Sequence, residues 1–155
     1  MKLKQHLVES KGSWIYQMPT GSGKTIMMLS AVEELLKLDP TETTLILVPR
    51  IILMEQFEEV IRQFFPALKS HTKYIGNNRC KEYTPSDSIH LVVCVYNSFP
   101  KIAQHNGSFN RVIIDECHHV FHSHTEWDDD DDEEELDTDI TYMDEIRSLC
   151  DSTVV

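Results

Sequence analysis

Short apolar runs alternate with longer stretches of helical spacing along most of the chain. The short runs are rich in β-branched residues, which predicts strands. The longer stretches repeat apolar residues every three or four positions, which predicts helices. Strands that alternate with helices form βαβ units, in which parallel strands are covered by helices. The pattern therefore predicts an α/β fold with a mainly parallel β-sheet flanked by helices.

The predicted strands share this short, apolar character. Thr44–Val48 is almost continuously apolar, which is typical of a strand that is buried on both faces of its sheet. The other predicted strands are Ser13–Gln17, Lys73–Ile75, Ile89–Val95 and Arg111–Ile114, and Thr153–Val155 resembles the opening of one more.

Four stretches have the spacing of a helix. The first predicted helix runs from about Lys24 to Leu38 and ends before Pro40, because the residue before a proline is disfavoured in a helix. Its predicted sheet-facing residues are Ile26–Leu29, Val32, Leu35 and Leu36. The other predicted helices are one marked by Leu53, Phe57, Val60, Ile61 and Phe64, a short one near Phe99–Gln104, and one over Ile140–Cys150.

Length and composition are those of one soluble domain. The chain has 155 residues, of which 41% are hydrophobic and 26% are charged, and we expect residues 1–155 to form a single unit. The N-terminal sequence MKLKQHLVESKG lacks the apolar core of a signal peptide, which predicts an intracellular protein of the cytoplasm or nucleus. A viral protein that acts inside a host cell is compatible with this prediction. The four cysteines form no CxxC pair and are interpreted as free thiols.

The negative charge is concentrated in one segment. The formal net charge is -12, and the run DDDDDEEE at residues 128–135 is entirely acidic. Such a run cannot pack, so we expect a solvated, disordered loop at about 127–139. A functional alternative is that this run competes with nucleic-acid phosphate for a basic surface.

A glycine-rich stretch, MPTGSGKT at residues 18–25, joins the first predicted strand to the first predicted helix. There, Gly21, Ser22 and Gly23 can turn backbone N–H groups around a polyphosphate at the positive end of the helix. Lys24 adds a mobile cation, and Thr25 offers a hydroxyl group to Mg²⁺. The alternative is a glycine-rich turn with a surface lysine, but the flanking strand and helix favour a nucleotide site.

A second motif, VIIDECHH at residues 112–119, places an acidic pair at the end of a predicted strand. Asp115 is expected to hold Mg²⁺ through its water shell, and Glu116 to polarise the water that attacks a terminal phosphate. Ligands of parallel α/β sheets bind at the carboxyl ends of the strands, where both motifs are expected to meet. Two solvated acids at a strand end are the alternative interpretation.

The order MPTGSGKT, ILVPR and VIIDECHH resembles the N-terminal RecA-like domain of a superfamily 2 helicase or translocase of the DExH type. The DECHH string is similar to that of type III restriction enzymes, Dicer-like proteins and repair helicases. The resemblance implies a three-layer RecA-like fold, a Walker A loop, and ATP with Mg²⁺ as cofactors. It also implies DNA or RNA as a partner through contacts to a single-stranded backbone.

Further residue roles are implied by this resemblance. Pro49 and Arg50, after TLILV, match a segment that contacts the nucleic-acid backbone, as do Tyr96 and Ser98 of VYNS. A surface arginine and a tyrosine at the core edge are the alternatives. Gln5 resembles a glutamine that reads adenine, although it lies closer to the phosphate loop than is usual. His118 is implied to couple the nucleotide site to the next motif.

Additional histidines follow the acidic pair, at positions 119, 122 and 124. His118 and His122 would share one face of a helix, and Cys117 adds a third candidate ligand, so a zinc site is an alternative. The resemblance instead places Cys117 and His118 inside the ATPase motif.

We expect this chain to lack the second RecA-like domain of helicases, which closes over ATP and supplies an arginine finger. It is therefore expected to bind nucleotide and to hydrolyse it poorly alone. Three function classes are open: a nucleic-acid motor, a nucleotide-dependent interaction module without unwinding activity, and an inactive truncated helicase remnant.

Overall fold

The computed structural model of the protein describes residues 2–9, 12, 14–76, 79–80, 83–103, 109–117 and 150–154, and of residues 2, 3, 103 and 150–154 only the backbone. The helices are α1 (Lys2–Glu9), α2 (Lys24–Leu38), α3 (Ile51–Phe64), α4 (Pro66–Lys69) and α5 (Pro100–Ala103), with a 3-10 turn at Tyr96–Ser98. The strands are β1 (Thr44–Val48), β2 (Thr72–Ile75), β3 (Leu91–Val95), β4 (Phe109–Ile114) and β5 (Cys150–Val154).

The five strands form one sheet in the order β2-β3-β1-β4-β5, and all four neighbouring pairs are parallel. β1 lies at the centre and is buried along its whole length, as is β3. In the register of the sheet, Val48 of β1 lies beside Val95 of β3, and Leu47 lies beside Ile114 of β4. The prediction of an α/β fold around a parallel sheet is confirmed.

Two hydrophobic clusters cover the two faces of the sheet. On one face, α1 to α4 pack against alternate residues of the central strands, such as Ile46, Val48 and Ile113. On the other face, Phe99 and Ile102 cover the intervening residues of the same strands, together with Cys80 and Tyr83. The result is a sheet between two layers, which follows from the alternation of side chains along a strand.

One predicted orientation and one predicted strand are wrong. Ile26 was expected to face the sheet but is 46% exposed. On α3, Met54, Phe57 and Ile61 fill the buried face, whereas Phe64 is 60% exposed. Ser13 lies outside the described residues, and only Trp14 of the predicted strand at residues 13–17 makes a bridge. Residues 15–17 are irregular because Ile15 faces solvent and does not pack on the sheet. Helix α1 was not predicted.

Other predictions fall partly or wholly outside the described residues. These are the acidic loop at 127–139 and the helix predicted over Ile140–Cys150, of which only residue 150 is described. Cys150 begins β5 rather than ending a helix, so the last strand starts earlier than expected. Cys80, Cys94 and Cys117 form no disulfide bond, as predicted. None of the described helices has the length and apolar character needed to cross a membrane.

A buried arginine joins α1 to the sheet. Arg111 of β4 is 6% exposed, and its Nη1 donates a hydrogen bond to the carbonyl oxygen of Leu7 at 2.7 Å. Its Nε lies 3.5 Å from the Oε1 atom of Glu42, which precedes β1. Burial raises the pKa of the Glu42 carboxyl, while the guanidinium of Arg111 opposes that change. Arg111 therefore holds both the C-terminal turn of α1 and a buried acid.

We expect Arg111→Ala to lower the free energy of unfolding by about 3–5 kcal/mol, because it leaves the half-buried Glu42 without its cation. Arg62→Ala is the matched control, since Arg62 forms only an exposed ion pair with Glu59 on α3, and its expected cost is about 1 kcal/mol or less. Urea unfolding followed by circular dichroism measures both. Equal losses in the two variants would contradict a structural role for the buried pair.

Candidate functional site

Three adjacent strands end at the same edge of the sheet, and each is followed by candidate residues. β3 leads into Tyr96, β1 into Pro49 and Arg50, and β4 into Asp115 and Glu116. The edge is the carboxyl edge, where parallel α/β sheets bind their ligands. The fold therefore brings together residues that are separated by tens of positions in the sequence.

The glycine-rich loop approaches this edge at the start of α2. Gly21 and Gly23 have φ angles of 74° and 82°, in the left-handed region that glycine adopts at little cost. Gly23 is the N-cap of α2 and provides no side-chain hydrogen bond to the first turn, although its carbonyl accepts from the Met27 amide at 2.9 Å. The loop therefore leaves N–H groups of the first turn available to an anion.

The lysine of the loop contacts both acids of the second motif. Lys24 Nζ lies 2.7 Å from Asp115 Oδ1 and 3.9 Å from Glu116 Oε1. Asp115 is 5% exposed, whereas Lys24 is 32% exposed. The angles at the shorter contact are not those of a hydrogen bond. Asp115 Oδ1 is therefore a buried oxygen that is stabilised by its ion pair with Lys24. The two motifs thus form one charged cluster.

A cavity of about 370 Å³ lies beside this cluster. Its polar end is formed by Thr20, Lys24, Asp115 and Glu116, and much of the remaining wall is apolar. Met18 lines this cavity and is half-buried, so the residue that opens the loop has a packing role here. The volume is within the range of small-molecule sites.

The cluster also fits the requirements of a magnesium ion. Carboxylate and hydroxyl oxygens are ligands of Mg²⁺, and Asp115 Oδ1 is a buried oxygen whose ion-pair partner among the described residues is the ammonium group of Lys24. Thr25, the second residue of α2, is half-buried and directly follows that lysine. Asp115 and Thr25 are therefore the residues of this site that would hold the ion.

The candidate nucleic-acid residues differ in accessibility. Arg50, the N-cap of α3, is exposed and forms no ion pair with a described acidic residue, and Pro49 is half-buried. Ser98 is only 9% exposed at the end of the 3-10 turn. The hydroxyl of Tyr96 donates a hydrogen bond to the carbonyl oxygen of Asp115 at 2.5 Å. Arg50 is thus the most available of the four, and all four assignments stay predictions.

One further predicted site residue is not brought into the cluster. Gln5 is exposed on α1, where its amide donates a hydrogen bond to Glu9 at 2.9 Å, and it does not line the cavity. His118 lies outside the described residues.

Sequence reasoning missed the conformation of the acidic turn. Glu116 has a φ angle of 55°, in the left-handed region, which is uncommon for a residue with a long side chain. No feature of the sequence indicates this angle, because glutamate does not favour it. It also missed the Tyr96 contact to Asp115, since the sequence pattern does not give the order of the strands.

Comparisons with known proteins agree with this arrangement. The family described as "Type III restriction enzyme, res subunit" matches residues 1–138. The fold is similar to that of the Sulfolobus solfataricus SWI2/SNF2 ATPase core in complex with dsDNA, with a TM-score of 0.64 and 13% identity over 99% of this chain and 28% of that one.

A second similar structure is a nuclease-deletion mutant of the Type ISP restriction-modification enzyme LlaGI in complex with a DNA substrate mimic. The TM-score is 0.51 at 21% identity, over 75% of this chain and 14% of that one. The chain thus spans less than a third of either structure. Comparison with curated proteins gave no match. The chain belongs to the family of type III restriction enzyme res subunits and has the RecA-like fold of the N-terminal domain of superfamily 2 helicases.

Proposed function

We propose that this chain is a nucleic-acid-dependent ATP-binding and ATP-hydrolysing domain of a DNA or RNA helicase or translocase. The observation that carries the proposal is the contact of Lys24 with both Asp115 and Glu116, at 2.7 and 3.9 Å, at the N-terminus of α2. A lysine, a free helix N-terminus and two acids at one sheet edge are the parts that phosphoryl transfer requires.

The phosphates of ATP are proposed to bind in the loop of Gly21, Ser22 and Gly23. Their negative charge is stabilised by N–H groups at the start of α2 and by the helix dipole. Lys24 then moves from Asp115 to the phosphates, which requires only rotation of its flexible, partly exposed side chain. The ion pair of the free protein is thereby exchanged for one with the nucleotide.

Asp115 and Thr25 are proposed to hold Mg²⁺ once Lys24 has left Asp115. The ion, when bound, supplies positive charge to the phosphate oxygens during transfer. Exchange of the Lys24 ammonium group for Mg²⁺ keeps a cation beside the Asp115 carboxylate, which is 5% exposed. A buried carboxylate without such compensation costs several kcal/mol, as a rough scale.

Glu116 is proposed to orient the attacking water. Glu116 lines the cavity and is half-buried, so it is accessible to water and to substrate. Positioning of the nucleophile is the main task of such a residue, because the transition state of phosphoryl transfer is stabilised mostly by charge. Gln5 is proposed to contact adenine, and His118 to couple this site to the rest of the protein.

Nucleic acid is proposed to bind along the carboxyl edge, through Pro49 and Arg50 and with weaker contributions from Tyr96 and Ser98. Arg50 follows β1, the strand between β3 and β4, and is exposed. Both similar structures are described as complexes with DNA. A guanidinium group at this edge can bind a phosphate without reading the base sequence.

Hydrolysis by this domain alone is proposed to be slow. A second RecA-like domain, in a longer parent chain or in trans, would supply an arginine finger, whose contribution in other systems is about 10³- to 10⁵-fold in rate. The first property to measure in this chain is therefore nucleotide binding, and the second is hydrolysis stimulated by nucleic acid.

We expect Lys24→Ala to weaken binding of a fluorescent Mg·ATP analogue by about 10- to 100-fold, the equivalent of one hydrogen bond to a charged group. Titration followed by fluorescence anisotropy measures the dissociation constant. Lys37→Ala is the matched control, because Lys37 lies at the other end of α2 and is mostly exposed. Circular dichroism verifies that each variant is folded.

The outcomes of this experiment separate the function classes. Equal affinity in the unsubstituted chain, Lys24→Ala and Lys37→Ala would contradict the proposed nucleotide site. Binding that depends on Lys24, with hydrolysis raised by single-stranded DNA or RNA, supports a motor domain. Lys24-dependent binding without such stimulation indicates an interaction module instead.

We expect Arg50→Ala to weaken binding of single-stranded oligonucleotides to a similar extent for all base sequences, because the contact is to phosphate. The slope of log K against log salt concentration is expected to decrease by about 1. Fluorescence anisotropy at several salt concentrations measures it. Arg62→Ala, on the same helix and paired with Glu59, serves as the control, and an identical slope in both variants would remove Arg50 from the interface.

A further inference from the structure

The residue after β3 makes a contact that spans the end of another strand. Tyr96 follows β3 and Asp115 follows β4, and β1 lies between these two strands in the sheet. The side chain and its hydrogen bond together therefore span the end of β1, because neighbouring strands are about 4.8 Å apart. At the far side its hydroxyl donates a hydrogen bond to the Asp115 carbonyl oxygen at 2.5 Å.

Asp115 is fixed through three different groups. Its amide donates a hydrogen bond to the Leu47 carbonyl at 2.8 Å, which extends the pairing of β4 with β1 by one residue. Its carboxylate pairs with Lys24 of α2, and its carbonyl accepts from Tyr96. Lys24 belongs to the helical layer on one face of the sheet, whereas Tyr96 packs against the cluster on the other face. The residue is thus held from both layers.

The next residue has the strained conformation. Glu116 has a φ angle of 55°, which is unfavourable for a non-glycine residue and persists only where the surroundings determine it. The peptide between Asp115 and Glu116 is the one whose carbonyl oxygen accepts from Tyr96. The direction of that carbonyl sets the orientation of the peptide plane and hence the start of the Glu116 turn.

We propose that Tyr96 is a positioning residue, whose hydroxyl holds the Asp115–Glu116 peptide in the orientation that directs the Glu116 carboxylate toward Lys24 and the cavity. This inference rests on the proposed function, because it assigns Tyr96 a role in the same site. The role concerns the hydroxyl group, which donates its hydrogen bond to Asp115. The weaker nucleic-acid contribution proposed above would come from the aromatic ring, which phenylalanine keeps.

Tyr96→Phe removes only the hydroxyl group and tests the proposal. We expect kcat for nucleic-acid-stimulated ATP hydrolysis to fall by about tenfold, the scale of one net hydrogen bond. We expect KM for ATP and the affinity for single-stranded DNA to stay within about twofold, because neither phosphate binding nor Arg50 depends on this contact. Tyr74→Phe is the matched control, because the Tyr74 side chain is also half-buried and lies on strand β2. It should leave kcat, KM and the affinity for single-stranded DNA unchanged.

A second readout does not depend on hydrolysis. In labelled protein, Tyr96→Phe should shift the ¹³C carbonyl resonance of Asp115 and the amide resonance of Glu116, while Tyr74→Phe should shift neither. An unmoved Asp115 carbonyl resonance, or an unchanged kcat, would overturn the positioning role. Loss of single-strand affinity at constant kcat would overturn it as well and would make Tyr96 a nucleic-acid contact.

The two proposals fail in different ways. If nucleotide binding is the same in the unsubstituted chain and in Lys24→Ala, the proposed function fails. The Asp115 carbonyl resonance in Tyr96→Phe still reports whether Tyr96 holds the turn. If Lys24→Ala weakens nucleotide binding as expected but Tyr96→Phe behaves like Tyr74→Phe in every measurement, only the positioning role is wrong.

Discussion

The central position of β1 is the constraint on which the site depends. β1 is fully buried, pairs with β3 on one side and with β4 on the other, and its register fixes where both neighbours end. Because Val48 lies beside Val95 and Leu47 beside Ile114, the candidate residues leave the sheet at nearly the same level. A shift of one residue in either pairing would turn every side chain of that strand to the opposite face. Packing on both faces of β1 therefore secures the geometry of the chemistry at its end.

The ion pair of Lys24 and Asp115 connects this sheet edge to α2. On the proposed function, the pair also explains why a nucleotide and a divalent ion should bind together. When the lysine turns to the phosphates, a carboxylate that is 5% exposed loses its cation. Isolated charge at such a position is unfavourable by several kcal/mol, as an order of magnitude. A metal ion held by Asp115 would remove that penalty, so the nucleotide and the ion would each favour binding of the other.

The sequence predicted the parts of the fold that depend on local pattern. Helix α2 ends at Leu38 because Pro40 follows, and β1 was recognisable from its continuous apolar run. Helix α1 was missed because it is short and mostly polar. Residues 15–17, before the glycine-rich loop, are irregular although the sequence SWIYQ at residues 13–17 has strand propensity. The acidic pair was located, but its contacts were not. The contact of Tyr96 with Asp115 depends on the order β3-β1-β4, and the angle at Glu116 depends on tertiary contacts.

Alternate residues of β4 show how one strand positions two helices. Arg111, Ile113 and Asp115 lie two residues apart and therefore point to the same face of the sheet. Arg111 holds the Leu7 carbonyl of α1, Ile113 belongs to the core cluster beneath the helices, and Asp115 pairs with Lys24 of α2. The helices also contact each other through Lys4 and Glu34. Since α1 carries Gln5 and α2 begins at the phosphate loop, β4 sets the distance between the proposed adenine and phosphate contacts. That distance, and not the presence of Gln5 alone, determines whether one nucleotide can contact both Gln5 and the phosphate loop.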